Sequence, residues 1–166
     1  MARSTAVRAA FVAAIALTLA TGCSAAGDGD APADSPEQSQ TALFAVLDET
    51  QELIGGEWEN EDSPSPRGCE LPGSDDEGVT FTGVRSKEGP ALDDDTVSEV
   101  LRLWEDEGFE AGSGGMGVLT SVMGVDPADE TYYVELRIGE FSTQIHGQAA
   151  CVPGDALAEL ERVRGE

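Results

Sequence analysis

From Tyr132 to His146 apolar and polar side chains alternate on both sides of a Gly139-Glu140 break, and no other stretch constrains the fold as much. Alternation of period two marks a half-buried strand, and a two-residue loop with glycine first suits a type II′ hairpin turn. Such a turn predicts Ile138 paired with Phe141, Leu136 with Thr143 and Val134 with Ile145 on the buried side. Tyr133 is then expected opposite His146 on the other side. With Glu135 and Gln144 they make a polar face, open to water or to a partner.

The flanking segments predict what covers the hairpin. Leu43, Leu47, Thr50 and Ile54 recur at helical spacing, with Thr41 as cap and Gly55-Gly56 as stop. Trp58 follows, read as a core or rim aromatic, beside an irregular acidic loop through Cys69. Gly78 to Arg85 alternates as a strand. Val97, Val100, Leu101 and Trp104 then lie on one helical stripe. Asp93, Asp94 and Asp95 precede that stripe, where the unpaired amides and positive dipole end of a helix favour acids. Gly108 is placed to end this helix, with Phe109 folding back on it.

Ala111 to Gly117 lacks the Lys-Ser/Thr ending of a phosphate loop and reads as a flexible connection. Val118 to Val125 reads as a strand and Asp126 to Asp129 as a turn. Asp155 can cap a last helix carrying Leu157, Leu160 and Val163. The order αβαβββα predicts an α+β fold, a mainly antiparallel four-stranded sheet with helices on one face. Residues 41–166 make one such domain, with room for a single core.

The amino terminus carries a different message. Arg3 and Arg8 precede an uncharged run from Ala9 to Ala20, which closes on Thr21-Gly22-Cys23. This is the layout of a secretory signal peptide, and its apolar stretch of about 12 residues falls short of a span's roughly 20. A cysteine directly after small residues resembles the lipobox of bacterial lipoproteins, although Ala20 stands where Leu, Val or Ile is usual. Residues 1–22 are thus expected to be removed and Cys23 acylated. Cleavage near Ala25 or Ala26, giving a plainly secreted protein, is the alternative.

Residues 23–40 are expected to form the lipidated Cys23 and a disordered acidic tether, about 20–25 Å long as a flexible coil. Asp28, Asp30 and Asp34 do not match an EF-hand, because Pro32 takes a ligand place and no glutamate closes the loop.

Past Cys23 the chain holds seven basic residues against all 33 acidic ones. Such a surface is repelled by anionic head groups and nucleic acid, so the membrane partner is the lipid on Cys23 and no nucleic acid partner is expected.

Cys69 and Cys151 remain, and an exported chain keeps disulfides. Their pairing closes a loop of about 83 residues, worth roughly 4.5 kcal/mol on the chain-entropy argument. A reactive thiol is the rival, but His146, five residues before Cys151, falls on the opposite face of an extended strand.

One histidine rules out a His-rich metal site, and Cys69, Cys151 and His146 make a poor zinc set, so no metal and no cofactor are expected. Neither a G-x-S-x-G elbow nor an S-x-x-K motif occurs. With 33 acidic residues, a carboxylate pair at any chosen spacing says little.

The lipobox start, the stretch Gly55 to Glu70, the G-V-T-F-T-G strand, the W-E-D-E-G-F-E helix end and the late C-V-P-G-D together resemble small lipoproteins of actinobacteria, LppA-like in type. The resemblance implies an envelope lipoprotein of undetermined role and supplies no catalytic residues.

The expectation is a monomeric, membrane-tethered binding module on the extracytoplasmic face. It would meet an envelope protein or wall component through Trp58, Tyr133 and His146. The alternatives are a paired-carboxylate hydrolase or a lipid carrier. The lipid is directly testable: the native chain should fractionate with membranes and carry acyl mass on Cys23. Cys23→Ser should move it to the medium. Native protein recovered from the medium without lipid contradicts the anchor.

Overall fold

The structure, a computed structural model, describes residues 35–116 and 119–165. The signal peptide, Cys23 and residues 24–34 of the expected tether lie outside the described residues. Helix α1 spans Pro36–Ile54. It begins five residues before the expected Thr41 start, because Ser35-Pro36 is itself a helix-entry pair. The Ser35 hydroxyl accepts from the Gln38 amide, and proline suits the first helical position. Buried Ser39 then donates to the Ala150 carbonyl at 2.7 Å, which anchors the first turn to the body of the protein. Gly55, at φ 68°, ends the helix.

The sheet is larger than the four strands expected. Among the described residues eight strands form one open antiparallel sheet: β1 (Glu59–Asn60), β2 (Ser63–Glu70), β3 (Glu77–Glu88), β4 (Glu110–Met116), β5 (Leu119–Val125), β6 (Tyr133–Ile138), β7 (Ser142–Gln148) and β8 (Val152–Pro153). β3 is the hub. β1 and β2 run end to end along one of its edges, and β7 and β8 along the other. Beyond β7 follow β6, β5 and β4.

Two stretches expected to be irregular are therefore strands. β2 tolerates Pro64 and Pro66 because it pairs on one side only, with a register shift between Ser63 and Arg67. β4 is built largely from small residues and pairs along its length with β5. Neither shows the alternation by which a strand is read, because neither has a strongly apolar face.

The hairpin register differs from expectation by two residues. Ile138 pairs with Thr143, Leu136 with Ile145 and Val134 with Gly147, so Glu135, not Tyr133, stands opposite His146. Tyr133 stands opposite Gln148. The connection is a three-residue loop, residues 139–141, closed by the Gly139 amide on the Ser142 carbonyl at 2.9 Å, and Phe141 is 75% exposed. A slip of two preserves which face each side chain occupies, where a slip of one would invert it.

Packing against α1 explains the choice. In this register Gly147 lies beneath α1, where a β-carbon would stand 2.5 Å from Leu43 Cδ1. Gly83 on β3 seats Leu47 in the same way, at 2.4 Å.

Helix α2 (Asp94–Asp106) follows β3, capped by the Asp93 carboxylate on the Thr96 amide. Gly108 adopts φ 92°, and the Phe109 amide returns to the Trp104 carbonyl. Trp104 lies over Gly124 of β5, and its indole donates to Thr50 of α1 at 3.0 Å. Helix α3 (Ala156–Arg164), capped by Asp155, packs against β2 and leaves Leu157 73% exposed.

Leucines and a tryptophan seated on glycines thus fix α1 and α2 to one sheet face. Gly147→Ala should destabilise the protein by about 1–3 kcal/mol, the cost of a methyl forced into a filled core. Gly112→Ala, whose added carbon meets nothing within 4 Å, should be near neutral. Urea unfolding of both variants decides, and equal midpoints contradict the seating.

Candidate functional site

The sheet face turned away from α1 and α2 is the candidate site. The strand registers arrange it in three rows across β5, β6, β7 and β3. They are Val125–Tyr133–Gln148–Thr82, Met123–Glu135–His146–Val84 and Ser121–Arg137–Gln144–Ser86. In a chain of formal charge −24, these rows hold one carboxylate and one guanidinium. Glu135 and Arg137 pair with each other at 2.6 Å. The face is therefore close to neutral, and acids stand at its margins: Glu110 beside Val125 and Glu59 beside Ser86. Val84, Val125 and Tyr133 are half-buried within it, and Met123 is 41% exposed.

His146 lies in the middle row, its Nε2 3.3 Å from the Gln144 side-chain oxygen. Burial pushes its pKa down from the ordinary 6.5, the Arg137 charge adds to this, and Glu135 opposes it. At neutral pH the ring is uncharged, which keeps the face neutral. The Arg137 guanidinium is held charged by its hydrogen bond to Glu135.

Tyr133 and His146 thus share a face on adjacent strands. Trp58 does not join them. Its indole donates to the Gly55 carbonyl at 3.2 Å, and Lys87 stands 5.5 Å from its ring centroid. Lys87 donates to the same carbonyl at 2.8 Å. Trp58 and Lys87 therefore close the C-terminal end of α1, where a cation suits the helix dipole.

Met123 was not foreseen as part of this face. Val118 to Val125 reads as a largely apolar strand without strict alternation, and only the observed pairing shows Met123 turned away from Val122 and Gly124. Those two neighbours are buried.

Cys69 and Cys151 form a disulfide, with Cα atoms 6.1 Å apart. It joins the segments on either edge of β3 and passes over Gly78, where a β-carbon would lie 2.7 Å from the Cys151 sulfur. Both thiols are consumed, which overturns the reactive-thiol alternative. Among the described residues no group of three or more His, Cys, Asp or Glu is placed to hold a metal ion, and no helix is long and apolar enough to cross a membrane.

No family model matches the chain, and no curated protein sequence does. Among solved structures the chain is similar to a DUF4853 family protein from Actinomyces odontolyticus, with a TM-score of 0.53 and 15% identity. The match covers 71% of this chain and spans 66% of that protein's length. At that identity the likeness establishes the fold alone: an α+β domain on an open antiparallel sheet.

The chain's single histidine makes the electrostatics of the face measurable by NMR. His146 should titrate below 6.5. Arg137→Gln should move it up but leave it below 6.5, since burial is the larger cause. The unfolded chain then takes up this proton first as pH falls, so stability contributed here is intact above about 6.5 and is lost below it. A value of 6.5 or higher contradicts the placement.

Proposed function

We propose that this chain is an extracytoplasmic lipoprotein, LppA-like in type and anchored through acylated Cys23. It acts as a binding module, docking another envelope component through the open sheet face. The anchor rests on the sequence from Arg3 to Cys23. The Cys69–Cys151 bridge supports export, because such bonds persist in oxidising compartments.

One observation carries the docking reading. A strongly anionic chain keeps a partly exposed sheet face free of net charge and places methionine, tyrosine, valine and a paired arginine on it. Interface centres are depleted of unpaired charge and enriched in aromatic residues, methionine and arginine. The acidic margins favour a partner whose contact surface has an uncharged centre and a basic rim, steered by charge and held by the centre.

The other readings are weaker. A lipid carrier needs a large apolar hollow between helices and sheet, but Leu43, Leu47 and Trp104 fill the space over Gly147, Gly83 and Gly124, and the groove left at the start of α2 carries Asp94 and Glu140. Paired-carboxylate hydrolysis has one observation in its favour, since Asp94 and Glu140 line a common groove. Both are exposed, not sunk in the apolar surroundings in which a general acid works.

A photo-crosslinker placed at Met123 in cells should give a discrete adduct, while one at Glu52, exposed on α1, should not. Tyr133→Ala with His146→Ala should cut the Met123 adduct by about tenfold or more, as loss of central contacts does. Equal adducts from both positions, or indifference to the double substitution, contradict the reading.

A further inference from the structure

A groove of about 530 Å³ opens between the first turns of α2 and the sheet, on the side away from the docking face. Its origin lies in how α2 is seated. Trp104, in the last turn, rests on Gly124 and is tied to Thr50. The first turns have no comparable seat: Val97 and Leu101 stay half-buried, and Thr120, not a glycine, is the β5 residue lining this end. Leu92, Val97, Leu101 and buried Ile138 form an apolar floor. The volume lies in the range of small-molecule sites, roughly 300–1,000 Å³.

The polar groups around the floor share one sign. Asp94 and Glu140 line the groove, and among the described residues no basic residue does. Neither carboxylate takes part in an ion pair among the described residues. The Ser98 hydroxyl, also in the lining, already donates its hydrogen to the Asp94 carbonyl at 2.7 Å, which leaves its oxygen to accept. The helix N-terminus offers little to an anion, because the Asp93 side chain occupies it. The field of a chain at −24 repels anions further.

From this complementarity we propose that the groove binds a small amphipathic cation, an ammonium or guanidinium on an apolar body. The body lies on Leu92, Val97, Leu101 and Ile138, and the charged head stays in water between Asp94 and Glu140. This site is independent of the docking face and stands or falls without it.

The test uses the full chain and three probes with a common ring but different heads: 2-phenylethylammonium, 2-phenylethanol and 3-phenylpropanoate. Binding is read from the methyl NMR shifts of Val97, Leu101 and Ile138. The cation should shift them saturably and bind about three- to tenfold tighter than the alcohol, the preference two exposed carboxylates supply. The anion should bind weakest.

Asp94→Asn with Glu140→Gln should bring the cation down to the alcohol's affinity and leave the alcohol unchanged. Ser98→Trp, which fills the groove from a half-buried position in its lining, should abolish all three. Three results overturn the proposal: an alcohol that binds as tightly as the ammonium, shifts that survive Ser98→Trp, or no saturable shift with the ammonium.

Discussion

A buried guanidinium holds the helix layer to the sheet. Arg85 is 2% exposed on central strand β3. Its Nε and Nη2 bond Asp62, which lies between β1 and β2, and its Nη1 bonds Asp48 and Gln51 of α1. Burial alone would favour loss of its charge, but the hydrogen bonds to Asp62 and Asp48, with their negative charges, outweigh that and raise its pKa. An arginine withdrawn from water is tolerable only when every donor direction is met. The requirement therefore fixes where α1 lies across β3, and which face of the sheet it covers. The Lys87 ammonium, one face-step along β3, repeats the logic at the Gly55 carbonyl.

The two faces of the sheet diverge from that point. On the covered face, Gly83, Gly147 and Gly124 let α1 and α2 approach until Leu47, Leu43 and Trp104 touch the backbone layer. On the open face the same strands carry Tyr133, Glu135, Arg137, Gln144 and His146, and among the described residues no helix is seated there to bury them. The disulfide pins the edges of β3 near Gly78. The covered face thus carries the stability, and the open face carries the residues proposed above for docking. The looser seat at the start of α2 leaves the groove lined by Asp94 and Glu140.

Much of this was legible in the residues. The helix through Trp104, its Asp93 cap and its Gly108 stop follow from periodicity and capping chemistry, and the Cys69–Cys151 bridge was expected because only two cysteines remain past Cys23. The alternation from Tyr132 to His146 gave the correct faces but the wrong partners, because loop length was decided by Leu43 needing Gly147 beneath it, a contact over 100 residues away in sequence. β2 and β4 were illegible for a related reason. Strands made of Pro, Ser and Gly take their identity from the neighbours they pair with, not from their own pattern. Trp58 packs at the rim of the core, as its reading in sequence expected, but its place beside Lys87 at the end of α1 is set by tertiary contacts.

The central claim is that the open face is occupied where the protein works. Methionine oxidation tests this most directly, since Met123 is an exposed thioether on that face and Phe141 reports on open solvent at the hairpin tip. Hydroxyl-radical labelling of intact cells, compared with the purified chain, should slow Met123 oxidation several-fold and leave Phe141 unchanged. Equal rates for Met123 in the two settings would show a bare face and contradict the account.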